Sequence, residues 1–451
     1  MSTTAQHSAP QSAPASKLKQ GITGPLLFLF ILGDVLGAGI YVLVGVVAGE
    51  AGGAIWVPLL VALGLALLTA GSYAELVTKY PKAGGAAVFA ERAYRKPIVS
   101  FLVGFCMLAA GVTSAAGLAQ AFSGAYLSAF IDVPPVPASL VFLLLVAALN
   151  ARGIRESVRT NVVMTVVEVS GLVLVIVVVG LFLAQGNGDL SRVTQFPDGV
   201  GPASAVLAGT LIAYYSFVGF EVSANVAEEV RDVSRVFPRA LFGALLTAGV
   251  VYVLIGLAAS AAVPAADLAG STSPLLDVVN ATGFGIPEWI FGLVALIAVA
   301  NGSLLTMIMA SRLTFGMAEQ GLLPSVLGRV LPNRRTPWVA ILVTTAAAMI
   351  LSSTGDLESL AETVVVLLLF VFLSTNIAVL VLRKDHVDHQ HFRIPAIFPY
   401  LAIASCILLM TQQSADIWLR AAILVGIGLA LYALQHLTSR RKTGSTSPVE
   451  N

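Results

Sequence analysis

The chain has 451 residues, of which 57% are hydrophobic and 11% are Asp, Glu, Lys or Arg, with a formal net charge of +1. Soluble domains carry roughly 25% charged residues, and so few charges cannot cover a water-facing surface for a chain of this length. The composition describes an integral membrane protein and excludes soluble enzymes, nucleic-acid binders and secreted disulfide scaffolds.

Residues 1–20, rich in Ser, Ala, Gln, Pro and Thr, read as a disordered cytoplasmic tail without the compact apolar core of a cleavable signal peptide. A crossing helix needs about 20 apolar residues. By that measure spans are expected at about 22–49, 54–79, 97–129, 138–150, 160–184 and 203–229. Six more follow at about 239–263, 286–312, 337–352, 359–382, 394–411 and 417–437. The fourth is the shortest. Residues 439–451 form a second polar tail. Of the 25 Lys and Arg residues, 23 fall on the N-terminus, the even-numbered loops and the C-terminus, leaving Arg192 and Arg420 on the other side. Basic residues concentrate on the cytoplasmic side of short loops. Twelve spans with both termini inside a cytoplasmic membrane follow, because removing span four would invert every later loop and scramble this segregation.

Cys106 and Cys406 lie in apolar runs and read as small buried hydrophobes. His386, His389 and His391 fall in a charged cytoplasmic loop and read as a solvated connector rather than a metal site, so neither metal nor cofactor is expected. Gln120 and Asn301, mid-span amides, read as interhelical hydrogen-bonding groups before ligands.

Three acids sit inside apolar runs: Asp34, Glu168 and Glu221. A carboxylate in hydrocarbon costs several kcal/mol and usually lines a pathway or cavity. No basic residue inside the expected spans neutralises them, so they are protonated, bind a cation or face a cationic substrate. For any one of them, a protonated acid bonded to a neighbouring carbonyl is the purely structural alternative. Asp34 lies about 18 Å into its span from the cytoplasmic end, and Glu168 and Glu221 about 12 Å into theirs. All three are expected to share the cytoplasmic half of one cavity and to form an ion- or proton-coupling group.

Span one is interrupted by Gly33, Gly37 and Gly39, and span six by Tyr215-Ser216-Phe217-Val218-Gly219-Phe220-Glu221. Glycine inside a helix costs about 1 kcal/mol relative to alanine, so such a cluster marks either close packing or an unwound segment. Spans one and six are five apart and run in opposite directions by the charge map. Glycine-interrupted segments at matching positions of two inverted halves point to a transporter site. An unwound stretch offers free N–H groups to a carboxylate and free carbonyls to an ammonium, which suits a free α-amino acid.

Several motifs resemble the amino acid–polyamine–organocation (APC) superfamily of permeases over residues 20–435. They are Gly37-Ala38-Gly39-Ile40, Ser72-Tyr73-Ala74-Glu75-Leu76, and Tyr80-Pro81-Lys82-Ala83-Gly84-Gly85. Ala227-Glu228-Glu229-Val230 with Phe237-Pro238-Arg239-Ala240, and Ala310-Ser311-Arg312 through Gly321-Leu322-Leu323-Pro324 to Thr336-Pro337, continue the series in order. The resemblance implies an all-α polytopic fold of 12 transmembrane helices, a five-plus-five inverted repeat of leucine-transporter type with two additional helices. The repeats would be residues 21–202 and 203–385, with spans eleven and twelve in 386–438. It further implies that Gly37, Ala38, Gly39 and Ile40 hold the substrate α-carboxylate. The backbone around Ser216, Phe217 and Gly219 would meet the α-ammonium, and Tyr215 would close over the substrate, a packing tyrosine being the plainer reading. Glu228, Glu229 and Arg231 would pair to close a cytoplasmic gate, and Glu75 would do similar structural work.

Two departures stand out. Glu168 occupies a position where many proton-coupled relatives carry lysine, so the coupling ion is H+ or Na+. Asp34 is an additional acid. Acids without bases suit a cationic amino acid or polyamine, and equally suit proton coupling with a neutral substrate. The expected function is secondary amino acid transport by H+-coupled symport. The alternatives are an amino acid or polyamine exchanger, or a non-transporting sensor on the same scaffold. Partners would be the lipid bilayer, the amino acid and the ion, with no nucleic acid, in a monomer or homodimer. No motif of an intramembrane hydrolase or transferase is present.

Overall fold

The structure, a computed structural model, describes residues 22–444 except 38, 83, 128–129, 153 and 332–335, and the side chains of those residues except 125, 154–159 and 436–444. Both polar tails of the sequence reading, and Ala38, therefore fall wholly or partly outside the described residues. The helices are α1 (Gly24–Val35), α2 (Gly39–Ala51), α3 (Trp56–Lys79), α4 (Gly85–Tyr94), α5 (Pro97–Gln120) and α6 (Pro135–Arg152). They continue as α7 (Ile154–Ala184), α8 (Pro202–Tyr215), α9 (Val233–Ala262), α10 (Ala265–Gly270) and α11 (Pro274–Ala281). The last are α12 (Glu288–Glu319), α13 (Trp338–Thr354), α14 (Leu357–Leu382), α15 (Ile397–Thr411) and α16 (Ala415–Gly444).

Local chemistry sets many of these boundaries. Proline stands in the first turn of α1, α5, α8 and α11, where its missing N–H costs nothing. Asp356 caps α14 by accepting from the Ser359 amide at 2.9 Å. Among the described residues nine helices are long and apolar enough to cross a membrane, and the pair α1–α2, bent by 41° at its break, makes a tenth. The protein is a polytopic membrane protein. The expected count was twelve; the remaining two, α13 and α15, are shorter apolar helices of 17 and 15 residues. Pro337 stands immediately before α13 and Pro395 two positions before Ile397 of α15, and each disfavours helix at the residue that precedes it. The short fourth span, by contrast, is an 18-residue helix of crossing length.

Burial separates centre from edge. In α5, 78% of the membrane-crossing window is buried within the protein, whereas in α16 the share is 17%, so α5 is central and α16 faces lipid. In lipid, helix association rests on close packing more than on the hydrophobic effect. At Gly256 an added Cβ would lie 3.1 Å from the backbone of Trp56, so α9 and α3 meet backbone to backbone. Gln120 donates to the carbonyls of Ser352, at 2.7 Å, and Gly355, joining α5 to the end of α13. That is the interhelical role expected for it.

Two helix ends differ from expectation. Helix α9 begins at Val233, six positions before the expected 239. Helix α12 runs to Glu319, so Arg312 lies inside a helix rather than in a loop. No proline intervenes between Arg312 and Gly321, and the helix continues through Gly316. At the C-terminal end of α3, Glu75 receives Arg383 Nε at 2.8 Å and Nη2 at 2.7 Å, plus the Ile394 amide at 3.1 Å. The hydrogen bond to Glu75 holds the Arg383 guanidinium above its ordinary pKa. This forked pair ties span two to the loop between α14 and α15.

Candidate functional site

Helix α1 ends at Val35 and α2 begins at Gly39, and α8 ends at Tyr215 in a run of turns that leads through Gly219 into a 3₁₀ helix, Phe220–Glu229. Long 3₁₀ runs are uncommon and mark strain or a hinge. Both interruptions anticipated from the glycines are therefore real breaks in the helices, and they touch. A Cβ on Gly39 would lie 2.9 Å from Ser216 Cα. One on Gly219, whose φ is +124°, would lie 2.9 Å from the Asp34 carbonyl oxygen. These two glycines are required because backbone meets backbone there, and at Gly219 because the conformation is one that side chains disfavour.

Between the breaks and a facing wall lies a small cavity of about 60 Å³. Asp34, Gly37, Gly39, Tyr215, Ser216, Gly219 and Glu221 line it on one side. Gly111 and Ser114 of α5, Gly302 and Thr306 of α12, and Leu368 of α14 are on the other. Ile40 and Phe217 are buried in the core beside it, not in its lining, and Phe217 packs edge-on against Tyr252 at 5.1 Å. Ala38 lies outside the described residues.

The acids do not share one place. Asp34 and Glu221 meet at Gly219: Glu221 Oε2 accepts from the Gly219 amide at 2.9 Å, and a Cβ there would lie 3.1 Å from Asp34 Cγ. Glu168 is fully buried on α7 and is not among the cavity-lining residues. The charge of Asp34 and the amide of Asn301 act on it. Within the described residues neither Glu168 carboxyl oxygen has a hydrogen-bond partner, nor have Asn301 Nδ2, Thr165 Oγ1 and Asp34 Oδ2. Buried polar atoms are normally satisfied, so this is a polar locus behind the cavity, between α1, α7 and α12.

Tyrosines hold the broken ends. Tyr252 of α9 donates to Ser216 O at 3.1 Å and to Val35 O, meeting the last carbonyls of both α1 and α8 with one phenol. Tyr41 of α2 donates to Glu168 O at 2.7 Å, and Tyr126 donates to Tyr41 O. Sequence reasoning missed Tyr252, Tyr41 and Ser114, since nothing local marks a tyrosine or serine in an apolar helix. Tyr252→Phe is expected to destabilise the protein by about 1–3 kcal/mol, the cost of leaving buried acceptors unsatisfied. The thermal unfolding midpoint in detergent checks this, and an unchanged midpoint would show that the carbonyls find other donors.

The expected gate residues lie together at the end of the 3₁₀ helix and just beyond it. Glu229 and Arg231 engage the segment before α1 through backbone: Ile22 N donates to Glu229 O at 3.0 Å and Arg231 N to Ile22 O at 3.1 Å. Glu228 and Glu229 both belong to the 3₁₀ helix. Within the described residues no three His, Cys, Asp or Glu side chains converge as a metal ion would need.

Chemically, the start of α2 presents free N–H groups with no acidic residue in its first turn, while Asp34 and Glu221 supply negative charge. No Lys, Arg or His lines the cavity among the described residues.

The sequence is similar to known proteins over most of its length. Residues 24–430 match the family model described as "Amino acid permease". The chain is 27% identical over 435 residues to the branched-chain amino acid permease of Bacillus subtilis, covering 90% of this chain and 91% of that protein. It is 26% identical over 430 residues to the methylthioribose transporter of the same bacterium, at 90% and 91% coverage. It is 30% identical over 373 residues to the vacuolar cationic amino acid transporter 4 of Arabidopsis thaliana, covering 78% of this chain and 61% of that one.

Proposed function

The chain belongs to the amino acid permease family, a multi-pass membrane transporter and not an enzyme, and we propose that it accumulates an amino acid by symport with a proton through alternating access. It does so as twelve spans in two inverted five-helix repeats plus two, in the cytoplasmic membrane, with both termini inside. The observation that carries this reading is the meeting of two broken helices at Gly219, with Asp34 and Glu221 facing a cavity that no base lines among the described residues. The α-carboxylate of the substrate sits on the amides that open α2 around Gly37, Gly39 and Ile40, and its ammonium meets the backbone from Ser216 to Gly219. Asp34, Glu168 and Glu221 form the coupling group. Glu168, packed behind the cavity, takes and releases the coupling ion without touching substrate.

The charge balance favours a proton over an uncompensated site. A zwitterion brings no net charge, so ionised Asp34 and Glu221 would remain unneutralised in a low-dielectric cavity, at a cost of several kcal/mol. A coupled proton relieves that cost. So would a cationic side chain, and the same absence of a lining base supports a cationic amino acid as the second reading of substrate. Uptake into proteoliposomes of a panel of labelled neutral and cationic amino acids, with a pH gradient, a sodium gradient or neither, tests both. Accumulation driven by the pH gradient is expected. Accumulation driven by sodium alone would replace the proton with Na+, exchange without accumulation would make the protein an antiporter, and binding without counterflow would make it a sensor.

A further inference from the structure

The segment between α14 and α15 is charged and reads as a solvated connector, yet it folds back onto the end of α3. One carboxylate gathers both ends of this loop. Glu75 accepts from Arg383 at its start and from the Ile394 amide near its end, and Arg383 Nη2 closes the ring by donating to Ile394 O at 2.8 Å. One turn further along α3, Thr78 Oγ1 accepts from the Phe392 amide at 3.0 Å, and the Thr78 carbonyl lies 3.1 Å from His389 Nε2. Lys79 is buried and donates to Leu382 O at 2.5 Å and Asp385 O at 2.7 Å, at the negative end of the α14 dipole. The loop also reaches α9. Ser234 donates to Gln390 O at 2.8 Å, and Phe392 packs on Phe242 with ring centres 5.9 Å apart. We propose that residues 383–396 are a clamp that stays shut throughout the transport cycle. It holds the ends of α3 and α14 and the start of α15 as one rigid block, so that access from this face opens elsewhere.

The energetics set this loop apart from a gate. The side chains of Glu75 and Arg383 are 2% and 13% exposed. Parting such a pair leaves charge in a place that water barely reaches, which costs far more than parting an exposed pair. Segments that move in a working cycle come from the low-stability end of a protein, with few buried contacts and backbone hydrogen bonds open to solvent. Here two loop amides, an ion pair and a buried ammonium are all satisfied between the loop and the ends of α3 and α14. Ile394 is itself buried, and it lies so close to α3 that a Cβ on Gly71 would sit 3.2 Å from its Cγ2. Glycine at 71 lets the loop lie flush on the helix.

The proposal rests on reading the protein as an alternating-access carrier, and a test in two arms separates the two ideas. In the first, Gly71→Cys is combined with Ile394→Cys, because a Cβ at 71 would lie 4.0 Å from Ile394 Cβ, within the span of a disulfide. Cys106 and Cys406 are buried, and the two single variants give the background. With a membrane-permeant oxidant the pair is expected to cross-link completely, and counterflow of labelled amino acid in proteoliposomes is expected to match that of the reduced form. Incomplete cross-linking, or counterflow lost on oxidation and restored by reduction, would overturn the clamp. The second arm is amide hydrogen exchange in liposomes, which decides the clamp even in a chain that moves no substrate. The Phe392 and Ile394 amides are expected to exchange as slowly as the adjoining turns of α3 and α14. Glu75→Gln is expected to speed both about a hundredfold and leave α5 unchanged, the effect of leaving a buried guanidinium without its partner. Exchange at the rate of an open loop in the unaltered chain, or none of this acceleration in Glu75→Gln, would equally overturn it.

Discussion

Glu168→Gln is expected to abolish accumulation of substrate against its gradient, while exchange of labelled for unlabelled substrate across the same liposomes continues. Glu168 is fully buried and outside the cavity lining, so an isosteric amide leaves the substrate's contacts in place. What it removes is a group that changes charge. Without that change, the loaded and empty carriers carry no ion-dependent difference in free energy, and a ligand can shift an equilibrium only by its differential affinity. Because Glu221 acts electrostatically on Asp34, and Asp34 on Glu168, Glu221→Gln should lose accumulation too. There substrate affinity is also expected to fall, since Glu221 lines the cavity and accepts from the Gly219 amide. The measurement is uptake at an imposed pH gradient beside counterflow at none. Full pH-driven accumulation in both variants would remove the acids from coupling.

Gly219→Ala is expected to lose transport by roughly tenfold or more, with both breaks disturbed together. Its φ of +124° lies where side chains are strained, and the added Cβ would sit 2.9 Å from the Asp34 carbonyl oxygen and 3.0 Å from its carbon. Those are backbone atoms of the other broken helix and cannot swing aside as a side-chain tip can. Each strained conformation of this kind costs about 1–3 kcal/mol. Relief requires the end of α1 to move away from the 3₁₀ helix, which pulls Asp34 from Glu221. Gly180→Ala serves as the control, because nothing lies within 4 Å of its added Cβ. Initial uptake rates normalised to protein in the membrane decide the matter, and parental rates in Gly219→Ala would show that the two breaks tolerate separation.

The site was partly legible before any coordinates. The glycines at 33, 37, 39 and 219 announced the breaks, because a helix interrupted at mid-membrane must find other partners for its backbone, and glycine is the residue that lets those partners approach. The acids were conspicuous for the same reason: a carboxyl in an apolar run has no innocent local explanation. Depth along a helix, however, says nothing of which way a side chain turns. Glu168 was placed in the common cavity by its depth and lies behind it, while Glu221 and Asp34 converge because two chain breaks meet at one glycine. The expected pairing of Glu228 and Glu229 with Arg231 relied on proximity along the chain. In the tertiary arrangement the backbones of Glu229 and Arg231 bond Ile22, and Arg312, which the charge map had assigned to a loop, lies inside α12.

Sequence alone determined that this chain lives in a membrane, which segments are apolar enough to cross it and where two of them break. These properties follow from composition and from backbone demands that each segment must meet by itself. Only the tertiary structure decided which hydroxyls serve those breaks. Tyr252 reaches Val35 and Ser216, Tyr41 reaches Glu168, and Ser114 reaches Tyr215, each across separations of 36 to 217 positions. A tyrosine or serine in an apolar helix is compatible with many neighbours. Its partner is selected by how the helices pack, and packing is a property of the whole assembly rather than of any segment.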